Sequence, residues 1–184
     1  MVLTPAQASG ARLEPASGTV VVTTRTERPL DASSLTAPKG TLVTRTIRPT
    51  GPVHESDLVT VEMRVELGAY SGESCWNVTE LVPSGLAPIT GQQATGENEE
   101  ADGEAQDPNL PAAAPVIYPW RATGQRLDFC VSHTPNAPVS ILRYVARVVT
   151  PGTYTWEPAI LQSGLAPDQG MLIPAPTLTI LGAS

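Results

Sequence analysis

From residue 59 to residue 67 every second side chain is apolar: Val59, Val61, Met63, Val65 and Leu67, with Thr60, Glu62, Arg64 and Glu66 between them. Successive side chains of a strand point to opposite faces, so this spacing gives one buried face and one wet face. On a helix the same five residues would scatter around the circumference. The segment predicts a strand of an antiparallel sheet with one solvated face. The remaining chain offers no competing helix. Its 19 prolines and 15 glycines leave only short apolar runs, rich in Val, Thr, Leu and Ile, which suit strands and turns.

Further strands are expected at 18–25, 41–48, 75–82, 116–120, 126–131, 140–149, 153–156 and 177–181. Turn-forming residues separate them, among them Pro38-Lys39-Gly40, Pro49-Thr50-Gly51-Pro52 and Pro83-Ser84-Gly85. About eight or nine strands at this spacing predict an all-β sandwich. The expected organisation is an N-terminal tail or linker over residues 1–17, rich in Ala, Pro, Ser and Gly, and a β-sandwich domain over 18–184. Within the sandwich, residues 91–113 are expected to form a long, mobile, solvated loop. The stretch from 90 to 114 has almost no apolar side chains and holds six of the 18 acidic residues, Glu97, Glu99, Glu100, Asp102, Glu104 and Asp107.

The formal charge of −7 and pI near 4.7 argue against nucleic acid, whose phosphates need a basic face, and against anionic membrane surfaces. No run approaches 18 apolar residues, so no membrane insertion is expected. Residues 1–5 have neither a basic nor an apolar leader region, which leaves a cytosolic protein or a piece with its leader upstream. The two cysteines, Cys75 and Cys130, lie beside predicted strands with no CxxC spacing and no histidine nearby. That disfavours a metal; a long-range disulfide and two free buried thiols both fit the residues.

Motifs of catalysis are missing: there is no GxGxxG, no GxxxxGK[ST] and no GxSxG. His54, in a Pro/Gly turn, and His133, in a polar loop, read as exposed loop residues rather than a base or ligand pair. Asn98, Glu100, Asp102 and Gly103 fall at calcium-loop positions, but Asn109 stands where Glu is needed, Pro108 precedes it and no helices flank it. An unliganded acidic loop is the reading there. Asn77-Val78-Thr79 matches the glycosylation sequon inside a predicted strand. Lys39, the one lysine, sits in a turn, and Trp76, Trp120, Trp156, Tyr118, Tyr144 and Tyr154 read as core and sheet-face packing. No nucleophile–base pair can be named, so neither a catalytic site, nor a cofactor, nor a metal is expected.

Several segments resemble the last domain of bacterial alpha-2-macroglobulin-like proteins. They are Leu42-Val43-Thr44-Arg45-Thr46 followed by Ser56-Asp57-Leu58-Val59-Thr60-Val61, and Cys75-Trp76-Asn77-Val78-Thr79-Glu80-Leu81-Val82-Pro83-Ser84-Gly85-Leu86, similar to the family's V-T-D-x-L-P-S-G-L stretch. Gly124-Gln125-Arg126 to Phe129-Cys130-Val131, the run from Tyr144 through Pro151-Gly152-Thr153-Tyr154, then Pro158-Ala159 and Gln162-Ser163 continue the likeness. It covers most of residues 19–180. The resemblance implies an antiparallel immunoglobulin-like β-sandwich at the C-terminus of a large exported protein, located outside the cell or in its envelope. It also implies that Cys75 pairs with Cys130, because the two matching cysteines occur together in such relatives. The parent proteins trap proteases through a thioester domain; no pentapeptide of the GCGEQ type occurs here, so this chain cannot form that bond. The receptor-binding lysine helix of animal relatives has no counterpart around Lys39. The expected role is a non-catalytic structural and interaction module whose partners are other domains of the parent or other proteins. The alternative is a free-standing adhesin or extracellular fibre subunit that uses its sheet edges.

Overall fold

The structure is a computed structural model that describes residues 3–4, 6–7, 10–12, 17–19, 31–68, 71, 74–89, 114–133, 139–174 and 176–183. The chain divides into two compact units, Met1–Leu30 and Asp31–Ser184. In the first, the Thr4 backbone N–H donates to the Gln7 side-chain oxygen at 2.9 Å. The expected tail over 1–17 and the expected strand at 18–25 lie mostly outside the described residues, and the acidic segment 91–113 lies wholly outside them.

The second unit is nearly all-β. After a 3-10 turn at Ala32–Ser34, the described residues form thirteen strands between Leu42 and Leu181. The first sheet takes the order β1 (Leu42–Arg48), β3 (Leu58–Glu66), β9 (Val139–Val148), β5 (Leu86–Pro88), and β6 (Val116–Ile117) runs parallel to β9. The second takes the order β12 (Gly170–Ile173), β11 (Ala159–Ser163), β4 (Cys75–Leu81), β8 (Arg126–Ser132), β7 (Arg121–Thr123), antiparallel throughout. A small third sheet joins β10 (Gly152–Thr155), β13 (Thr177–Leu181) and β2 (Val53–His54), the last pair parallel. None closes into a barrel, and the layering is that of an immunoglobulin-like β-sandwich.

The alternation read in the sequence decides which residues meet between the sheets. Val59, Val61, Met63 and Val65 of β3 and Leu142, Tyr144, Ala146 and Val148 of β9 are buried from one side. Trp76 and Val78 of β4, Leu127, Phe129 and Val131 of β8, and Leu161 of β11 complete the same cluster. Phe129 and Tyr144 bring their ring centroids within 6.4 Å between the two sheets.

Among the described residues eight strands form where the sequence predicts them, and five more join them. The additions are β2, β5, β7, β11 and β12, each two to five residues long. Runs of that length hold too few residues for alternation to show, and backbone pairing with neighbours creates them. Two turns depend on glycine. Gly40 has φ of 88°, and the Thr41 N–H donates to the Pro38 carbonyl at 3.0 Å, which closes the Pro38-Lys39-Gly40 turn. At Gly85 a Cβ would collide with the Tyr154 ring and the Ile180 side chain, so the chain passes there only without a side chain.

Candidate functional site

Cys75 opens β4 and Cys130 lies in β8, two residues apart in the ladder: Cys75 faces Ser132, and Asn77 faces Cys130. The two form a disulfide with Cα atoms 5.4 Å apart, closing a sequence separation of 55 residues. Both side chains are half-buried and share the outer face of the sheet, because Trp76 and Val131 beside them turn inward. The bond therefore ties neighbouring strands of one sheet rather than the two layers. Exposed Asn77 of the sequon stands on this same outer face.

Across the layers a different device operates. Glu80, in the same parity as Trp76 and Val78, points into the core and is 0% exposed. Arg45, in the same parity as Val43 and Ile47, enters from β1 with its side chain 2% exposed. Arg45 Nη2 donates to Glu80 Oε2 at 2.5 Å, Trp156 Nε1 to Oε1 at 2.9 Å, and the Tyr144 hydroxyl to Oε1 at 3.3 Å. The Arg45 guanidinium also lies 4.8 Å from the Trp156 ring centroid, a cation–π distance. Burial pushes the Glu80 carboxyl above its ordinary value, with Arg45 and the three hydrogen bonds pulling it back. Burial, then the Glu80 charge, raises the Tyr144 phenol well above 10. Arg45 Nε and Nη1 are buried without hydrogen-bond partners among the described residues.

This constellation joins β1 and β9 of one sheet to β4 of the other, and to the Trp156 connection between β10 and β11. It is sealed from solvent, so its chemistry is positioning: one carboxylate accepts three donors and sets where four segments meet. Motif reading alone does not single out Glu80 or Arg45 as a pair. The signal is nonetheless present, since each occupies an inward position of an alternating strand.

A second carboxylate is held on the outer face. Asp128 accepts from Thr79 Oγ1 at 2.9 Å and from Arg126 at 2.9 Å, and Arg121 lies 3.7 Å away.

The other candidates are placed as follows. His54 is in strand β2 rather than in a turn, half-buried, with Nδ1 3.8 Å from Asp57; pairing of Val53 and His54 with β13 extends the chain there. His133 follows β8 and is half-buried rather than exposed. His54 thus lies in the third sheet, and His133 in the segment that follows β8 of the second. Lys39 is exposed in its turn. Trp76, Trp156 and Tyr144 are core residues, but Trp120 is 62% exposed at the bend before β7, contrary to its reading as packing. That bend follows the two-residue β6, so sheet alternation does not govern its direction. The proposed calcium-loop positions 98–109 lie outside the described residues. Among the described residues no three His, Cys, Asp or Glu side chains come together to hold a metal.

No family model matches the chain, and no curated protein does. Solved structures do. Native alpha-2-macroglobulin of Escherichia coli, in a structure spanning domain MG7 to the C-terminus, superposes with a TM-score of 0.58 at 22% identity. That match covers 79% of this chain and 25% of the other. The cryo-EM reconstruction of the native E. coli protein gives a TM-score of 0.59 at 22% identity, over 84% of this chain and 10% of that one. The trypsin-activated E. coli protein gives 0.57 at 22% identity, over 80% and 11%. This chain thus spans a quarter or less of each structure it matches. At such identity the likeness is one of fold, and it agrees with the resemblance carried by the Cys75 to Leu86 segment: the sandwich is of the kind found in the C-terminal part of bacterial alpha-2-macroglobulin.

Proposed function

We propose that this chain is a non-catalytic structural and interaction module of an exported alpha-2-macroglobulin-like protein of the protease-trapping type. The observation that carries this reading is the pattern of coverage. About four fifths of the chain follows a fold that makes up only a tenth to a quarter of the matched proteins, the proportion of one domain in a larger assembly. Some of those proteins are described as activated by trypsin or by elastase, which supports protease capture as the parent's task. A disulfide suits export, since such bonds persist in oxidising compartments and rarely in a reducing cytosol. The module's partners are then the neighbouring domains of its parent, and the sealed Arg45–Glu80 constellation keeps the sandwich rigid while they rearrange.

An antiserum raised against this chain, used on fractionated cells and medium of the source organism, tests the reading. The expected band lies in the envelope or medium, is several times heavier than 19.3 kDa, and shifts when trypsin is added. A band confined to the cytosol, or a ladder of short surface-fibre subunits, would overturn it; the ladder would favour the adhesin alternative.

A further inference from the structure

We infer that the outer face of β1, β3 and β9 is a docking surface for a protein partner that presents carboxylates spaced by apolar side chains. The register sets out the face. Arg48 stands beside Thr60, Thr46 beside Glu62 and Arg143, Thr44 beside Arg64, and Leu58 beside Arg147. Four arginines thus share this surface with two glutamates. Glu62 is divided between Arg48 at 3.2 Å and Arg143 at 2.7 Å, and Glu66 is held by Arg64 at 3.1 Å. Arg147 is exposed and has no ion pair among the described residues. The face therefore carries surplus positive charge on a chain whose formal charge is −7.

The same face is bordered by apolar side chains: Leu42 is 50% exposed and Leu58 52%. Arginine beside exposed apolar anchors is the composition of protein interfaces. The two glutamates decide which kind of acidic partner fits. A continuous polyanion would be repelled by Glu62 and Glu66 wherever it crossed the grid. A polypeptide partner whose carboxylates are spaced by apolar residues can place them opposite Arg147 and the shared Arg48–Arg143 pair, leave the glutamates uncontacted and seat its apolar side chains against Leu42 and Leu58. The inference rests on the reading of the chain as an interaction module. It names the surface and partner chemistry through which the module would act.

The test uses the full 184-residue chain alone, so its outcome does not depend on whether a larger parent is found. Fluorescein-labelled peptide of alternating Glu and Leu is titrated with the chain at low and raised salt, and fluorescence anisotropy is read. The wild type should bind, more weakly as salt screens the charges. Arg64→Glu/Arg147→Glu should weaken binding by about tenfold or more, and Arg147→Gln should weaken it less. The reversal Arg121→Glu/Arg126→Glu, on the other sheet, should leave binding within about twofold of the wild type. Thermal melts verify that each variant folds, and Arg147→Gln, which breaks no ion pair among the described residues, carries the test if the double reversal does not. No binding by the wild type, equal loss in both reversal variants, or tighter binding of heparin than of the peptide would overturn the inference.

Discussion

Strands β3 and β4 present the same alternation to the same core, yet they are held there by different forces. The inward residues of β3 are Val59, Val61, Met63 and Val65, all at 0–1% exposure. Each is stabilised by leaving water and by close packing, and none depends on one particular neighbour. The inward residues of β4 are Trp76, Val78 and Glu80, and the last is stable only because Arg45, Trp156 and Tyr144 converge on it. Burial of apolar side chains tolerates substitution by anything of similar volume. Burial of an ion pair fixes its partners, because either charge alone in the core is costly.

Substitutions that separate volume from charge should break this comparison most visibly. Removing one charge, as in Glu80→Ala, should cost about 3–5 kcal/mol in urea unfolding, because Arg45 would remain buried without a counter-ion. Replacing both charges, as in Arg45→Met with Glu80→Leu, should recover most of that loss. In β3, Met63→Ala should cost about 2–4 kcal/mol through cavity formation alone, and no second change at Arg45 should rescue it. If the double substitution is no more stable than Glu80→Ala, the constellation is not the charge-balanced device described here.

The Cys75–Cys130 bond sharpens the contrast from outside the core. Loop closure over its 55-residue separation corresponds to about 4 kcal/mol in the chain-entropy model. Reduction should nevertheless leave the β4–β8 register intact, since Trp76, Val78, Phe129 and Val131 hold it from the inner face. The expected result for Cys75→Ser/Cys130→Ser is a stability loss of about 2–4 kcal/mol with an unchanged circular-dichroism spectrum. Non-reducing peptide mapping of material purified with its thiols blocked should recover the 75–130 cross-link. Two alkylated thiols in protein made under oxidising conditions would count against the bond and weaken the argument for export.

The smallest expected effect is a pH dependence. Because burial raises the Glu80 carboxyl above 4.5, the folded state holds this proton more tightly than the unfolded chain. The associated stability is fully present below the unfolded value and is lost as pH rises through the folded one. The stability of the wild type minus that of Glu80→Gln should therefore widen as pH is lowered through the range just above 4.5. A gap that narrows with acid would mean that Arg45, not burial, controls the carboxyl.

Long alternating runs were legible in the sequence because apolar residues at every second position over seven or more residues form one face on a strand and none on a helix. Strands β1, β3, β4, β8 and β9 sit close to where residue reading puts them. The short strands were not legible: β2 forms by pairing with β13 far along the chain, and β12 is a four-residue run paired with the adjacent β11, too short for alternation to mark it. Trp120 shows a limit of composition, since a tryptophan next to a bend can point to water. Glu80 shows a limit of another kind. A glutamate in a strand is ordinarily assigned to the wet face, but its parity with Trp76 and Val78 places it inside, and Arg45 shares that inward parity with Val43 and Ile47. Pairing opposite charges at inward positions of two strands would have exposed the constellation from the sequence alone.

The position of the disulfide also bears on how the chain would respond to a pull on its ends. Tension entering near Leu42 and leaving near Leu181 would cross from Cys75 to Cys130 through the bond. The residues between the two cysteines would be shielded, although at full extension they would add roughly 180 Å of contour length. A module clamped this way yields early or not at all: its β1–β3 and β9–β13 portions can peel, while β4 and β8 stay moored side by side. Such a tether limits how far this part of the chain can be drawn out under load.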